Sequence, residues 1–343
     1  EMSLYIDLKD QIIKHILEGS YVSGAAIPTE HELCEKYGIS RVTVRKALDT
    51  LKKEGVLTSV QGQGTIIARR KGGFPSSLDL IALVAPVHNP FFSSYMEHFE
   101  RAAEENGSLV LFKQDFQGKA FQSDELFHRF IKKNIRNVVL WPHTEQIDYE
   151  LLRQLRLAGM NLVFFDQKFE TEVADVVCVD NDHAVTSLYR EMRSLISGPI
   201  IFIGYHGMAL PSEVTREQTF QALTGGTGEI HTIPWGGNVE AETAQLLGRL
   251  ERGERMPAGI LCCNGPIGLA AAQYMRDRAR VDILISAIDY MPEMSGYPII
   301  TYKQPMKQLA EKSYERLLLQ NEQGELWQSS TIQLQGEVVR LNL

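Results

Sequence analysis

The first residues of this sequence that could do chemistry are basic and hydroxyl side chains near the N-terminus. Arg41, Arg45 and Lys46 lie in a stretch with apolar residues at helical spacing, which predicts a helix with Ser40 as its N-cap. An exposed arginine can form paired hydrogen bonds with guanine O6 and N7, and Ser40 and Thr43 can contact phosphates. The chemistry predicted for this face is contact with double-stranded DNA. The alternative is an ordinary solvated helix face.

Two further helices and a hairpin are predicted around this helix. Apolar residues at helical spacing predict a helix that ends before Gly19. Thr29 and Glu32 form a capping-box pattern for a second helix, which stops at Gly38. After Gly55 the segment VLTSV-QGQG-TIIAR alternates apolar and polar residues around a glycine-rich tip, which predicts two strands joined by a tight turn.

The segment PTEHELCEKYGISRVTVRKALDTLKKEGVL, followed by QGQGTI, resembles the GntR family of winged-helix regulators. The resemblance implies that the third helix enters the major groove of DNA while the hairpin approaches the backbone. The family has an arginine where this sequence has His31, and a neutral histidine offers fewer donors. The residues expected to bind DNA are His31, Ser40, Arg41, Thr43, Arg45, Lys46, Gln61 and Gly62.

The second group of candidate residues follows short apolar runs farther along the chain. Asp166, Asn264 and Asp289 each come directly after such a run. Ligands of open α/β sheets bind outside the carboxyl ends of the strands, so we expect these side chains to converge on one cleft. Carboxylates, an amide and a guanidinium such as that of Arg216 can fix sugar hydroxyls, which both donate and accept hydrogen bonds. Aromatic candidates for packing on the sugar ring are Phe91, Phe92, Trp141 and Trp235.

The elements that must carry these residues alternate between short apolar runs and amphipathic helical stretches from residue 79 onward. This alternation is typical of βαβ units and parallel sheets, and there are too many units for one compact sheet. We therefore predict an α/β protein with an N-terminal winged helix-turn-helix and a two-lobed domain. The predicted ranges are 1–70 for the winged helix, 71–78 for a linker, 79–178 with 302–322 for the first lobe, and 179–301 with 323–343 for the second.

Residues 79–343 resemble the sugar-binding domain of LacI/GalR repressors, which is related in fold to periplasmic binding proteins. The resemblance rests on segments spread over the domain, including LIALVAPVHNPFF, VDND, TREQTF and LCCNGPIGLAAAQ. It implies a homodimer that binds operator DNA and an effector. We hypothesise that the effector closes the two lobes about the strands near residues 178–181 and 299–302, and that this closure changes the affinity for operator DNA. The favoured effector is a sugar, with a pentose such as arabinose first. The resemblance favours Asn89, Phe91, Asp166, Arg216, Asn264 and Asp289 as sugar contacts.

Other patterns have plainer interpretations. Asp180 and Asn181 are expected to cap a helix that begins near His183 rather than to bind ligand. A metal site at Asp180, Asp182 and His183 is not favoured, because three nearly adjacent residues rarely converge on one ion. Phe91 and Phe92 are equally compatible with anchoring a loop to the core. We expect no metal, no cofactor and no catalysis, since no nucleophile with a base is apparent.

Charge and composition agree with this organisation. Residues 1–71 hold 11 Lys and Arg against 9 Asp and Glu, whereas the remainder holds 24 against 34, so a slightly basic head precedes an acidic body. The sequence contains no apolar run long enough for a membrane span and no secretory signal, which predicts a cytoplasmic location. Two alternatives stay open, a solute-binding receptor of a transport system and a sugar-phosphate or nucleotide enzyme on a similar fold. The first lacks a secretion signal, and the second lacks a phosphate-binding loop.

Overall fold

The computed structural model describes most of the chain. The described ranges are 4–21, 24–68, 78–86, 90–114, 124–142, 147–207, 210–253 and 255–343. Two predictions fall outside them. These are the linker at 71–78, of which only Leu78 is described, and the sugar contact at Asn89.

The N-terminal elements are three helices followed by a two-stranded antiparallel hairpin, as the sequence predicts. The hairpin register pairs Leu57 with Ile67 and Val60 with Gly64. The elements are α1 (Leu4–Leu17), α2 (Glu30–Tyr37), α3 (Arg41–Lys53), β1 (Leu57–Val60) and β2 (Gly64–Ile67).

The predicted helix ends are present. Thr29 and Glu32 form a reciprocal capping box at the start of α2, and Gly38 ends that helix in the left-handed conformation at φ 63°. The Ser40 side chain accepts the Thr43 backbone N–H at the start of α3. Only three residues separate α2 from α3, so these caps determine the residue at which α3 begins and hence which of its side chains face outward.

The first of two six-stranded sheets is built from consecutive βα units. Its strand order is β13-β7-β6-β5-β3-β4, and every pairing in it is parallel. The successive elements are β3 (Leu80–Ala85), α4 (Pro90–Glu105), β4 (Leu109–Gln114), α5 (Asp124–Lys132), β5 (Asn137–Leu140), α6 (Tyr149–Leu157), β6 (Asn161–Phe165) and β7 (Asp175–Val179).

The second sheet repeats this construction in the order β14-β12-β11-β10-β8-β9. Its inner strands are buried over most of their length, which is why they appear in the sequence as nearly continuous apolar runs. The successive elements are α7 (Asn181–Leu195), β8 (Ile200–His206), α8 (Pro211–Leu223), β9 (Ile230–Pro234), α9 (Val239–Arg252), β10 (Gly259–Cys262), α10 (Gly265–Asp277), β11 (Leu284–Ile288) and β12 (Ile299–Lys303).

The C-terminal segment corrects the predicted division of the lobes. After β12 the chain forms α11 (Met306–Gln323) and then β13 (Thr331–Leu334), which pairs with β7 in the first sheet. Only β14 (Glu337–Leu341) joins the second sheet, antiparallel to β12. The assignment of the whole range 323–343 to the second lobe is therefore wrong. The chain crosses between the sheets three times, after β7, after β12 and between β13 and β14.

The winged helix packs directly on the first lobe. Buried residues of α1 and α3 belong to the same apolar core as residues of α5 and α6, including Ile12, Leu48, Phe127 and Leu152. The inner side of α3 is buried in this core through Val44, Ala47, Leu48 and Leu51. Among the described residues, no helix is long and apolar enough to cross a membrane.

Candidate DNA-binding surface and effector cleft

The outer face of α3 carries the two predicted arginines. The Arg41 side chain is 74% exposed and that of Arg45 is 58% exposed, while the opposite side of the helix is buried in the core. Val42 between them is also exposed. Nothing in the described part of the chain covers this face, so a duplex could reach it.

Glu30, at the first position of α2, holds both arginines. Its carboxylate accepts hydrogen bonds from Arg41 Nε at 3.1 Å and from Arg45 Nη2 at 3.2 Å. The hydrogen bonds from Arg45 and then Arg41 lower the pKa of Glu30. Exposed ion pairs contribute at most about 1 kcal/mol, so Glu30 orients the arginines without preventing them from binding another anion. Sequence reasoning recognised Glu30 as part of the motif but not as their partner.

The other predicted DNA contacts are arranged around this pair. Ser40 and Thr43 hydroxyls lie 2.8 Å apart at the start of α3. The Lys46 ammonium lies over the Tyr5 ring, 4.2 Å from its centroid, and so faces α1. His31 is exposed on α2, 3.6 Å from Glu35. Two further predicted contacts, Gln61 and Gly62, form the exposed turn of the hairpin, where Gly62 has φ 80°.

In the two-lobed part of the chain, polar residues follow the carboxyl ends of strands in both sheets. Asp166 follows β6 of the first sheet, whereas Asn264 and Asp289 follow β10 and β11 of the second. Both aspartates adopt positive φ angles, 71° for Asp166 and 78° for Asp289. Non-glycine residues held in this region of backbone space are concentrated at binding sites, where neighbouring structure offsets the strain.

Asp166 is buried and hydrogen-bonded on one oxygen. Trp141 Nε1 donates to its Oδ2 at 2.8 Å and Gln167 Nε2 donates to the same atom at 2.6 Å. Burial raises the pKa of Asp166 to about 6, although the nearby Arg216 guanidinium and the two hydrogen bonds act in the opposite direction. Burial thus favours the neutral form of the Asp166 carboxyl group more than water does.

Arg216 is buried at the same place, on α8. Its Nε donates to Asn181 Oδ1 and its Nη1 donates to the Cys263 carbonyl, both at 2.7 Å. The predicted helix cap is Asp180, whose side chain accepts the His183 backbone N–H. Asn181 does not itself supply this cap and instead positions the guanidinium.

The second-lobe side of the cleft contains Asp289 and Asn264. Gln304 Nε2 donates to Asp289, and burial raises the pKa of Asp289. Asn264 caps α10 through its oxygen and donates from Nδ2 to the Tyr205 hydroxyl at 3.3 Å. Asn264 thus has a structural role that the sequence pattern did not predict.

The aromatic candidates have different surroundings. Phe91 is half-buried, stacks on Phe165 at 5.6 Å and lines the cleft. Phe92 is buried and packs edge-on against Trp141 at 5.1 Å, so it anchors α4 to the core. Trp235 lies edge-on against Tyr205 on the second lobe.

A cavity of about 620 Å³ opens between the lobes beside the chain crossings. That volume is in the range of small-molecule sites. Within the part of the chain that the structure describes, no group of three His, Cys, Asp or Glu side chains is arranged to hold a metal ion. The cavity is lined by residues that include Phe91, His98, Asn264, Asp289, Lys303, Gln304, Met306 and Gln335.

Residues that sequence reasoning missed connect the lobes. Gln167 Nε2 donates to Ser212 Oγ at 2.9 Å, and the Ser212 backbone N–H donates to Gln167 Oε1 at 3.1 Å. Gln167 follows β6 of the first lobe and Ser212 begins α8 of the second, so this reciprocal pair fastens the lobes together. Glu213, the next residue, was also missed. No sequence signal distinguishes these positions from ordinary helix and loop residues.

Polar contacts also join the winged helix to the first lobe. Lys132 pairs with Asp10 at 2.5 Å. Arg136 donates to the Glu54 carbonyl at the end of α3, at 3.1 Å, and to the Ala158 carbonyl at 2.7 Å. Burial lowers the pKa of Arg136 to about 10, and Glu54 acts against this change. Arg136 directly precedes β5, whose other end leads to Trp141 in the cleft.

Comparison with known proteins finds relatives for two different parts of the chain. Residues 4–67 match the family model described as bacterial regulatory proteins, gntR family. The chain is 32% identical over 143 residues to an arabinose metabolism transcriptional repressor of Geobacillus stearothermophilus, covering 40% of this chain and 38% of that protein. It is 43% identical over 68 residues to a probable fructoselysine utilization operon transcriptional repressor of Escherichia coli, covering 20% and 28%. The chain thus spans well under half the length of these curated relatives.

Solved structures resemble the larger part of the chain. A lac repressor dimer bound to operator and the anti-inducer ONPF has a TM-score of 0.63 at 18% identity, covering 77% of this chain and 93% of that one. An ABC transporter solute-binding protein from Burkholderia graminis in complex with D-arabinose has a TM-score of 0.65 at 16% identity, covering 78% and 96%. The predicted fold, a GntR-type winged helix joined to a two-lobed domain of the periplasmic-binding-protein type, is confirmed.

Proposed function

We propose that this protein is a transcription repressor that binds double-stranded operator DNA as a homodimer and is regulated by a sugar, with a pentose such as arabinose favoured. The observation that carries the proposal is the presence, in one chain, of an exposed arginine pair on a GntR-type winged helix and a buried polar cleft between two lobes. The proposal includes a cytoplasmic location.

The arrangement of α3 supports DNA recognition. Arg41 and Arg45 are one helical turn apart, exposed, and held side by side by Glu30. Guanidinium groups in this arrangement can reach guanine O6 and N7 in the major groove. Ser40 and Thr43 at the helix N-terminus, and Gln61 and Gly62 in the hairpin turn, are the proposed backbone contacts, with Lys46 and His31 at the margin.

The polar groups of the cleft support a sugar as effector. The cleft offers carboxylate oxygens from Asp166 and Asp289, the amide of Asn264 and the guanidinium of Arg216, which together match a ligand with several hydroxyl groups. Phe91 supplies an aromatic ring at its edge. The relatives named above concern arabinose and fructoselysine, which favours a sugar over other polar ligands.

The contacts of the winged helix suggest how the two sites communicate. Strand β5 begins next to Arg136, which contacts the end of α3, and ends next to Trp141, which donates to Asp166. A sugar that changes the closure of the lobes would therefore act on an element already attached to the DNA-reading helix. In a dimer, two such heads must match half-sites separated by about one helical turn or a multiple of it.

The test begins with an operator selected from random duplexes by the purified full chain. Fluorescence anisotropy then measures the affinity of that duplex with and without L-arabinose, and an exposed-surface variant such as Arg153→Ala serves as control. We expect nanomolar binding that Arg45→Ala weakens and that the sugar alters. Failure to select any duplex, or an operator affinity unaffected by Arg45→Ala, would refute DNA recognition by α3.

A second candidate function, solute reception for a transport system, is favoured by the likeness of the two lobes to solute-binding proteins. The winged helix argues against it, because a receptor of that kind has no use for an exposed DNA-reading helix. Sugar binding without any sequence-specific DNA binding would support the receptor instead.

A further inference from the structure

Glu213 lies beside Cys263, next to the cavity-lining residue Asn264, at a position that neither the sequence pattern nor the comparisons assign. It is the third residue of α8, between Ser212, which binds Gln167 of the opposite lobe, and Arg216, which lies one turn farther along. Its Oε1 lies 3.8 Å from Cys263 Sγ, at the end of β10. Glu213 therefore lies where the lobes meet, next to the residues proposed to bind sugar.

The second carboxylate oxygen of Glu213 is buried without a hydrogen-bond partner among the described residues. The same is true of Gln304 Oε1, on a side chain that is only 5% exposed and lines the cavity. A buried acceptor that lacks a donor is unfavourable, and it becomes satisfied when a ligand supplies a hydroxyl or ammonium hydrogen. Two unpaired acceptors from different elements thus indicate a ligand that donates hydrogen bonds.

The charges of the inner cleft also select a ligand type. Asp166, Glu213 and Asp289 interact electrostatically with one another and with Arg216. Both hydrogen bonds that the structure gives Arg216 end on neutral acceptors. Burial raises the pKa of Glu213 to about 7 even though Arg216 opposes this. Lys303 and Lys307 also line the cavity, but both side chains are exposed to solvent, where screening by salt weakens their attraction for an anion.

We propose, on the basis of the sugar-regulated function above, that Glu213 contacts the effector and restricts the cleft to uncharged or amino sugars. Its free oxygen accepts a hydrogen bond from a ligand hydroxyl or ammonium group. Above the raised pKa of Glu213, this residue adds its full negative charge to those beside Arg216, and a phosphate or carboxylate on the ligand would face that charge. Like charges in contact strongly disfavour binding. Sugar phosphates and sugar acids are therefore rejected.

Calorimetric titration of the full chain at about pH 8, above the raised pKa of Glu213, with three probes of one ring configuration tests this inference. The probes are L-arabinose, its pyranose 1-phosphate and D-galacturonate. We expect arabinose to bind at least about tenfold more tightly than either anion. In the Glu213→Gln variant, which keeps the size of the side chain, arabinose should bind about tenfold more weakly, because a bond to a charged acceptor is replaced by a weaker neutral one. The ratio of the dissociation constant of each anion to that of arabinose should fall by a similar factor.

Glu217→Gln removes the same charge one turn farther along α8 and should leave the preference unchanged. Thermal unfolding of both variants shows whether they are folded, and the ratio of affinities is insensitive to a partial loss of folded protein. Equal affinity for arabinose and its phosphate, or an unchanged ratio in Glu213→Gln, would overturn the inference while leaving sugar regulation intact. Absence of binding by all three probes would contradict both this inference and an arabinose-type effector.

Discussion

Arg136 should determine how strongly the effector cleft influences DNA binding. Its guanidinium donates one hydrogen bond to the Glu54 carbonyl at the end of α3 and another to the Ala158 carbonyl of the first lobe. Hydrogen bonds from a charged donor contribute about 1.5–3 kcal/mol each. The bond to Glu54 attaches the end of α3 to β5, so its loss removes about that much interaction between the winged helix and the first lobe.

The perturbation is Arg136→Met, which keeps most of the apolar stem and removes the donors. We assume that this bond forms either only with sugar bound or only without it. Its loss, worth about 1.5–3 kcal/mol, then changes the ratio of the operator dissociation constants with and without sugar by roughly ten- to hundredfold. The assay is operator affinity by anisotropy at zero and saturating L-arabinose, and the quantity compared is the ratio of the two dissociation constants. Arg153→Met, on the exposed side of α6, is the matched control.

The Arg136→Met variant should also unfold at a lower temperature, because two carbonyl groups lose their partner. Stability and coupling are separable outcomes. A variant that is destabilised but retains the full effect of arabinose on operator affinity would refute the role assigned to Arg136. The communication between cleft and α3 would then have to use another route.

Four further outcomes are expected. Arg45→Ala should weaken operator binding by about 1–3 kcal/mol and relax base preference at one position of each half-site. Gel shifts on singly substituted duplexes measure this preference, and an unchanged preference would count against base contact by Arg45. Asp175→Ala should lower the free energy of unfolding in urea by about 3–5 kcal/mol, because the buried carboxylate accepts bonds from Arg316 and three other residues. A loss below about 1 kcal/mol would show that the network is replaceable. Because the pKa of Asp166 is raised, the folded chain binds the proton of this carboxyl more tightly than the unfolded chain does. The contribution of Asp166 to stability is therefore complete below about pH 4 and is lost as the pH rises to about 6. Asp166→Asn should flatten the dependence of the melting temperature on pH across that window, and an unflattened profile would contradict this expectation. Gln167→Ala removes the bonds to Ser212 across the lobes, so it should favour an open arrangement and increase the radius of gyration of the unliganded chain in X-ray scattering. An unchanged radius would show that these bonds do not hold the cleft closed.

Local signals made the winged helix predictable from the sequence. The capping box at Thr29, the left-handed stop at Gly38 and the cap at Ser40 each depend on neighbouring residues, so they are visible in a linear chain. The exposed position of Arg45 follows from the same periodicity. The role of Glu30 was less accessible, because it depends on how α2 packs across α3.

The cleft was predictable to the extent that strand ends identify it. Asp166, Asn264 and Asp289 stand out because they follow apolar strands, and the parallel topology brings such positions together. Gln167 carries no such mark, since its role comes from contact between the two lobes. The exchange of β13 into the first sheet was mispredicted for the same reason, because strand partners distant in sequence are not encoded by local pattern.

The most direct test of the central claim is the affinity of L-arabinose for the chain alone and for the chain saturated with its selected operator, both measured by calorimetry. If one ligand changes the affinity of the other, linkage requires the reverse effect to be equal in size. Operator DNA should change the dissociation constant of the sugar by about fivefold or more. The sugar should change the dissociation constant of the operator by the same factor. Tight binding of both ligands with identical sugar affinity in the two states would contradict it.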